Sequence, residues 1–175
     1  MAGDRNRILV EGALAVALSV IFSALRLWSM PQGGSITLEM VPLFIFALRR
    51  GGQVGCMAGV VSGMLQFITG GYGAHPLQVL LDYPAAFGLL GIAGFFPGHP
   101  MVAMALAGFL RFGCHVLAGV VFFASFAPEG SNIWVYASVY NGSFLLPTLI
   151  VASALVRVIL PRLQSLERRD DKGED

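Results

Sequence analysis

GGQVGCMAGVVSGMLQFITGGYGAHPLQVLLDYPAAFGLLGIAGFFPGHPMVAMALAGFL, residues 51–110, contains a single Asp, Glu, Lys or Arg, and that residue is Asp82. The charge-free runs on either side of it, 51–81 and 83–110, each exceed the ~20 apolar residues that carry a helix across a bilayer. A third run, 130–156, is also without charge. A helix of a soluble domain needs a polar face for water, and these stretches offer none. The chain therefore reads as an integral membrane protein. Its bulk composition agrees: of 175 residues, 56% are hydrophobic and 12% charged, about half the ~25% charge of a soluble domain.

Working outward from that stretch, breakers and charges divide the chain into six helical segments, which predicts an all-α bundle of six transmembrane helices. Helix 1 is expected at 8–28, ended by SMPQGGS (29–35), and helix 2 at 38–48, closed by Arg49-Arg50-Gly51-Gly52. Helix 3 follows at 53–69, then the loop GGYGAHP and helix 4 at 77–95. FPGHP opens helix 5 at 101–126, and APEGSN precedes helix 6 at 134–160. The six form one transmembrane domain over 1–160, with a charged tail at 161–175. The first apolar run follows Arg5 and Arg7 as a signal peptide would, but it is longer than a signal core, holds Glu11 and leads into further spans. It reads as a retained first helix. Cys56 and Cys114 fall inside spans, where they serve as small apolar packing residues rather than a disulfide framework.

Basic residues set the orientation. With an even number of spans both termini share a side, and that side collects Arg5, Arg7, Arg49, Arg50, Arg157, Arg162, Arg168, Arg169 and Lys172. Both termini are thus expected in the cytoplasm, with SMPQGGS, GGYGAHP and APEGSN on the outside. No basic stripe with interleaved aromatics suggests nucleic acid. Helix 3 carries Gly51, Gly55, Gly59 and Gly63 at a spacing of four, a nearly bare face for close packing. Helix 1 has a similar small face in Ala13 and Ala17, open to internal packing or to another membrane protein.

Ionisable groups within a bilayer are costly and mark function. Glu11, Asp82, Arg111 and His115 fall within spans. Glu11 lies one turn into helix 1, where snorkelling to the interface explains it as well as function does. Arg111 is four residues before His115 on one helical face, and a structural pair with Asp82 or Glu39 is open to it. Asp82 precedes Tyr83 and the kink-prone Pro84, well inside helix 4. A carboxylate there is either protonated or needs a cation. Around it the outward-facing segments supply Trp28, Tyr72, His75, Gln78, Phe123, Trp134, Tyr136, Tyr140 and Asn141. One buried acid among aromatic faces suits an organic cation: the carboxylate balances its charge, ring quadrupoles add ~2 kcal/mol or more when dry, and amides read a polar edge. An interfacial aromatic belt accounts equally well for Trp28 and Trp134. It accounts less well for Tyr136 and Asn141, because a buried amide needs partners.

Other chemistries find no footing. There is no GxxxxGK[ST] for ATP, the three histidines make no metal-ligand spacing, and Ser62 and Ser143 lack a base to activate them. An enzyme is not expected, and neither is a cofactor.

SMPQGGS, GYGAHPLQVLLDYPAAF (71–87) and RFGCHVLAGVVFFASFAPEGSNIWVYASVYNGS (111–143) together resemble the thiamine-specific substrate-binding (S) components of energy-coupling factor transporters. The likeness spans all six helices with the same breaks. It implies a protein of a prokaryotic plasma membrane that captures thiamine with high affinity from outside and then docks on a transmembrane coupling protein and two ATPase subunits. Transport would follow as it topples in the membrane. Position by position, the resemblance makes Asp82 the ligand-facing acid, with Tyr83 after it and Tyr72 as the loop tyrosine. His115 and Gly119 match a ligand-contacting histidine and a glycine one turn on, and Tyr136 and Asn141 match the tyrosine and asparagine of helix 6. Phe123 becomes a stacking face, Trp28 matches an aromatic near the first outer loop, and that loop becomes a lid. Ala13 and Ala17 match the small-residue face that meets the coupling protein. Phe123 and Ser62 depart from the pattern, standing where some members carry tryptophan. Open alternatives are an S component for another vitamin or a thiamine precursor, and an autonomous transporter driven by protons through Asp82 and His115.

Overall fold

The computed structural model describes residues 2–30 and 34–173, and these fold as an all-α bundle of six helices. They are α1 (Ala2–Ala24), α2 (Met40–Arg50), α3 (Gly52–Ile68), α4 (Pro76–Phe95), α5 (Pro100–Phe122) and α6 (Ile133–Lys172). α1, α4, α5 and α6 are each long and apolar enough to cross a membrane. The core runs down the middle of the bundle, where Phe44, Met40, Leu90, Met104 and Val156 are completely enclosed.

Three departures from the expected helices shape the site. α1 ends at Ala24 rather than near Trp28, because the chain turns into a small antiparallel ribbon, β1 (Trp28–Ser29) against β2 (Ser35–Ile36). The centre of SMPQGGS, residues 31–33, lies outside the described residues. Secondly, α2 has 11 residues, a rise of only about 16 Å against a ~30 Å hydrocarbon layer. Its C-terminal end shares the terminus-bearing side of the bundle with Arg49 and Arg50, so its first residues stop at mid-depth and bring Glu39 there, 8% exposed. The shortness of α2 leaves room for a cavity.

The third departure lies within α4. It begins as an α-helix (Pro76–Leu80), widens to a π-turn over Leu81–Ala85, and tightens to a 3-10 helix over Leu89–Phe95. Pro84 has no N–H to bond to the preceding turn and its ring crowds the carbonyl there, so the helix widens at that point. Asp82 and Tyr83 sit in the widened turn. The glycine face of α3 holds this segment close: a Cβ on Gly63 would meet the Tyr83 carbonyl oxygen at 2.5 Å, and one on Gly59 the Phe87 oxygen at 2.2 Å. The internal-packing reading of the glycine stripe is thereby accounted for. Beside it, Ser62 donates to Ser19 at 2.9 Å and joins α3 to α1 through two fully buried hydroxyls.

α6 continues past Leu160 without a break, and Glu167 reaches the ends of the other helices. Arg50 donates to both oxygens of Glu11 at 2.6 Å and to Glu167 at 2.5 Å. Arg49 pairs with Glu167 at 2.7 Å, and Arg7 reaches both acids at 3.2–3.3 Å. Glu11 is therefore a bracing residue here, which answers the choice left open by its position.

Candidate functional site

At the opposite end, under the loops that join α1 to α2, α3 to α4 and α5 to α6, lies a cavity of about 850 Å³. That is ample for a small organic molecule. Of the nine ligand residues expected from sequence, Asp82, Tyr83, Tyr72, His115, Gly119, Phe123, Tyr136 and Asn141 all line it. Trp28 does not. It lies in β1, is 64% exposed, and the ribbon holds it beside the cavity mouth rather than within the wall.

Asp82 is the hub. Gln78, one turn earlier on α4, donates from Nε2 to Asp82 Oδ2 at 2.7 Å, and His115 Nδ1 lies 2.8 Å from Asp82 Oδ1. Gln78 is itself fixed, since its Oε1 accepts from the Ala74 backbone at 2.9 Å and its Nε2 also reaches the Tyr72 carbonyl at 3.3 Å. One buried amide thus ties the acid to the loop above it. The Tyr83 hydroxyl accepts from the Tyr72 backbone N–H at 2.8 Å, fastening the same loop again. Its ring lies 5.3 Å from that of Phe67.

Arg111 does not pair with Asp82. Its Nη2 donates to Glu39 Oε1 at 2.5 Å, its guanidinium lies 4.0 Å over the Phe87 ring, and its Nε donates to His115 Nε2 at 3.4 Å. Of the two acids open to Arg111 on sequence grounds, the fold selects Glu39, which the short α2 brings to the right depth. Arg111 Nη1 is buried without a hydrogen-bond partner, a cost that a wall of a binding cavity can carry until a ligand acceptor arrives. Both ring nitrogens of His115 are engaged by protein groups, while the ring itself remains available at the cavity surface.

α6 forms the remaining wall. Asn141 donates to the Ala137 carbonyl at 2.9 Å and to the His115 carbonyl at 3.3 Å, which fixes its amide between α5 and α6. Gly119 makes that spacing possible, since a Cβ there would lie 3.1 Å from Ala137 and 3.4 Å from Asn141 Nδ2. Tyr136 stacks on Tyr140 at 6.1 Å, and Phe123 meets Tyr72 at 6.1 Å across the mouth. Gln66 and Arg26 also line the cavity, outside the set expected from the sequence, and Gln78, expected only among the polar surroundings, is bonded directly to Asp82. The signal for both glutamines was available: each is an amide inside an apolar run, the same feature that marked Asn141.

Among the buried charges, Glu39 and Arg111 offset each other and Asp82 remains. An apolar-walled cavity with aromatic faces, fixed amides and a carboxylate held by an amide and an imidazole can hold a small planar cation. Ala13 and Ala17 are not in its lining and lie on the exposed face of α1.

The family model described as "Thiamine transporter protein" matches residues 9–167. The chain is 35% identical to the thiamine transporter ThiT of Bacillus subtilis over 89% of its own length and 92% of that protein's. It is 28% identical to the thiamine transporter ThiT of Lacticaseibacillus paracasei, over 87% of this chain and 86% of the relative. Among solved structures, ThiT from Listeria monocytogenes superposes with a TM-score of 0.84 at 28% identity, covering 93% of this chain and 98% of the other.

Proposed function

This chain belongs to the thiamine transporter protein family, and from that premise we propose that it is the subunit that captures thiamine with high affinity on the outer side of the membrane and passes it inward with a separate ATP-driven module. Its role is transport, not catalysis. The bacterial relatives and the apolar helices make it a prokaryotic membrane protein, and the plasma membrane is the site that vitamin uptake requires.

The observation that carries this reading is the Asp82 carboxylate at the wall of an 850 Å³ cavity ringed by tyrosine and phenylalanine. Thiamine is a monocation with two flat rings. Asp82 supplies the counter-charge or accepts from the aminopyrimidine, Asn141 and Tyr136 supply polar contacts, and the faces of Tyr72, Tyr83, Phe123 and His115 enclose the rings. Gly119, matched by resemblance to a glycine beside the ligand, lets α6 approach closely enough to set Asn141 in the cavity wall. The small residues Ala13 and Ala17, exposed on α1, give a coupling protein a smooth surface, and the two ATPase subunits would act through it. No ATP-binding loop occurs in the chain itself, in keeping with that division of labour.

The test is thiamine titration of the purified protein, followed by quenching of its tryptophan fluorescence. Asp82→Ala removes a charged acceptor worth about 1.5–3 kcal/mol per hydrogen bond, so its affinity should fall about 100-fold. An affinity unchanged by Asp82→Ala rejects the assignment. Competition with the free pyrimidine separates thiamine from its precursor as the preferred ligand.

A further inference from the structure

We propose that Arg111 is a positioning residue that fixes His115 in one neutral tautomer, with its proton on Nδ1, and thereby leaves Asp82 its full negative charge. The geometry behind this stands apart from the ligand's identity; its functional consequence rests on the thiamine reading above. A guanidinium is always protonated and its N–H groups can only donate. Arg111 Nε donates to His115 Nε2 at 3.4 Å, so that ring nitrogen accepts and carries no hydrogen. The single ring proton is then on Nδ1, which donates to Asp82 Oδ1 at 2.8 Å. An imidazolium would set a second N–H directly against the Nε–H of a permanent cation.

Arg111 has little freedom to relieve that clash by turning away. Its Nη2 is held by Glu39 at 2.5 Å, Phe87 covers its face at 4.0 Å, and its side chain is 5% exposed. Residues 111 and 115 also stand one turn apart on α5, so the helix itself sets their approach. The titratable groups that share the cavity with His115 are Asp82 and Tyr83 from α4, Glu39 from the approach to α2, and Tyr136 and Tyr140 from α6. Arg111 on its own helix, and Tyr72 and Arg26 at the mouth, complete the set. With His115 neutral, Arg111 offsets Glu39 and the buried groups retain one negative charge for a monocation. An imidazolium would neutralise Asp82 within the protein, and an incoming cation would find nothing to pair with.

The experiment uses the full chain in nanodiscs with ¹⁵N-labelled histidine, the three histidine signals being assigned with His75→Gln and His99→Gln. Spectra are taken at about pH 6 and about pH 8, either side of the ordinary imidazole value. In the ligand-free protein His115 should show a protonated Nδ1 and a bare Nε2 at both pH values. In Arg111→Met the ring should take up a second proton at the lower pH. Thiamine binding by that variant should then weaken at least about tenfold more at the lower pH than at the higher, the loss expected when a charged partner is neutralised. Because Arg111→Met strands Glu39, the charge-balanced pair E39Q/R111M is measured beside it and should give the same histidine spectrum. A merely structural arginine would weaken binding equally at both pH values and leave the spectrum alone. The proposal is overturned by a proton on Nε2 in the unsubstituted protein, by an imidazolium there at the lower pH, or by a wild-type spectrum in E39Q/R111M. An unsubstituted protein with the expected tautomer that binds no thiamine would sink the functional reading and leave this inference standing.

Discussion

The two ends of α2 carry two clusters of charge built from the same residue types, and they do opposite things. At its C-terminal end, Arg49 and Arg50 join Arg7 in enclosing Glu11 and Glu167, and both carboxylates are held by several guanidinium donors. Three cations surround two anions and close α1, α2 and α6 together. At its N-terminal end, Glu39 takes up Arg111 while Asp82 meets an amide and an imidazole and faces a cavity. The difference is one of stoichiometry and space. Where cations are in excess and meet every carboxylate, charge becomes a brace. Where one acid is left over beside a void, charge becomes a binding site.

Substitutions at the two ends should therefore move different observables. Asp82→Asn keeps the size and part of the hydrogen bonding but removes the charge, and should cost about 100-fold in thiamine affinity with little change in thermal midpoint. A large loss of stability with affinity preserved would reverse the comparison. Next in size is Gly63→Ala. Its new methyl would press on the Tyr83 carbonyl at 2.5 Å, an overpacking cost of about 1–3 kcal/mol, and would push the widened turn that carries Asp82, so stability and affinity should fall together. Gly113→Ala, whose Cβ would meet nothing within 4 Å, is the control: it should leave affinity alone and should not lower the thermal midpoint, since alanine is the better helix former by about 0.5–1 kcal/mol.

Glu167→Gln probes the brace. Its carboxylate is partly exposed and shares its arginines with Glu11, so the loss should be about 1 kcal/mol, nearer to a surface pair than to a buried one. It should appear as a lowered thermal midpoint that high salt partly masks, with thiamine affinity in detergent unchanged. Reduced affinity would mean that the two ends of α2 are coupled through the helix and cannot be treated as independent clusters.

What could be read from the chain in advance follows the same division. A lone acid in a long uncharged run, a histidine one turn after an arginine, and an asparagine inside a span are conspicuous because a bilayer makes each costly. Asp82, His115 and Asn141 were therefore legible without a fold. The arrangement that gives them meaning was not. Glu39 and Arg111 pair across 72 residues, and nothing local tells Arg111 which acid it will meet. That the chain enters α2 only after a short ribbon packed on α6 is hidden too, because two-residue strands leave almost no periodicity to detect. Pro84 advertised a kink, but the π-turn that aims Asp82 also needs the bare glycine face of α3 against it. Gln66, an amide inside an apolar run, carries the same signal as Asn141, whereas the tie that Gln78 makes from Asp82 to the loop above it needs the fold.

Trp28 offers the smallest expected effect and the finest discrimination. Motif resemblance assigns it to the ligand, while the fold leaves it 64% exposed on the ribbon outside the cavity lining. Aromatic residues at a membrane surface are held there by the interface itself, which is reason enough for an indole at this height. Trp28→Phe should therefore change thiamine affinity by less than about threefold, under 1 kcal/mol, and leave the thermal midpoint where it was. Trp28 and Trp134 are the chain's two tryptophans, so the variant also assigns the quenching signal: what remains comes from Trp134. A loss of tenfold or more would mean that the ribbon folds over the bound vitamin and brings the indole into contact with it. The cavity end would then be a site completed by its ligand, and the contrast with the closed cluster at the other end of α2 would be one between two closed states, one of them conditional.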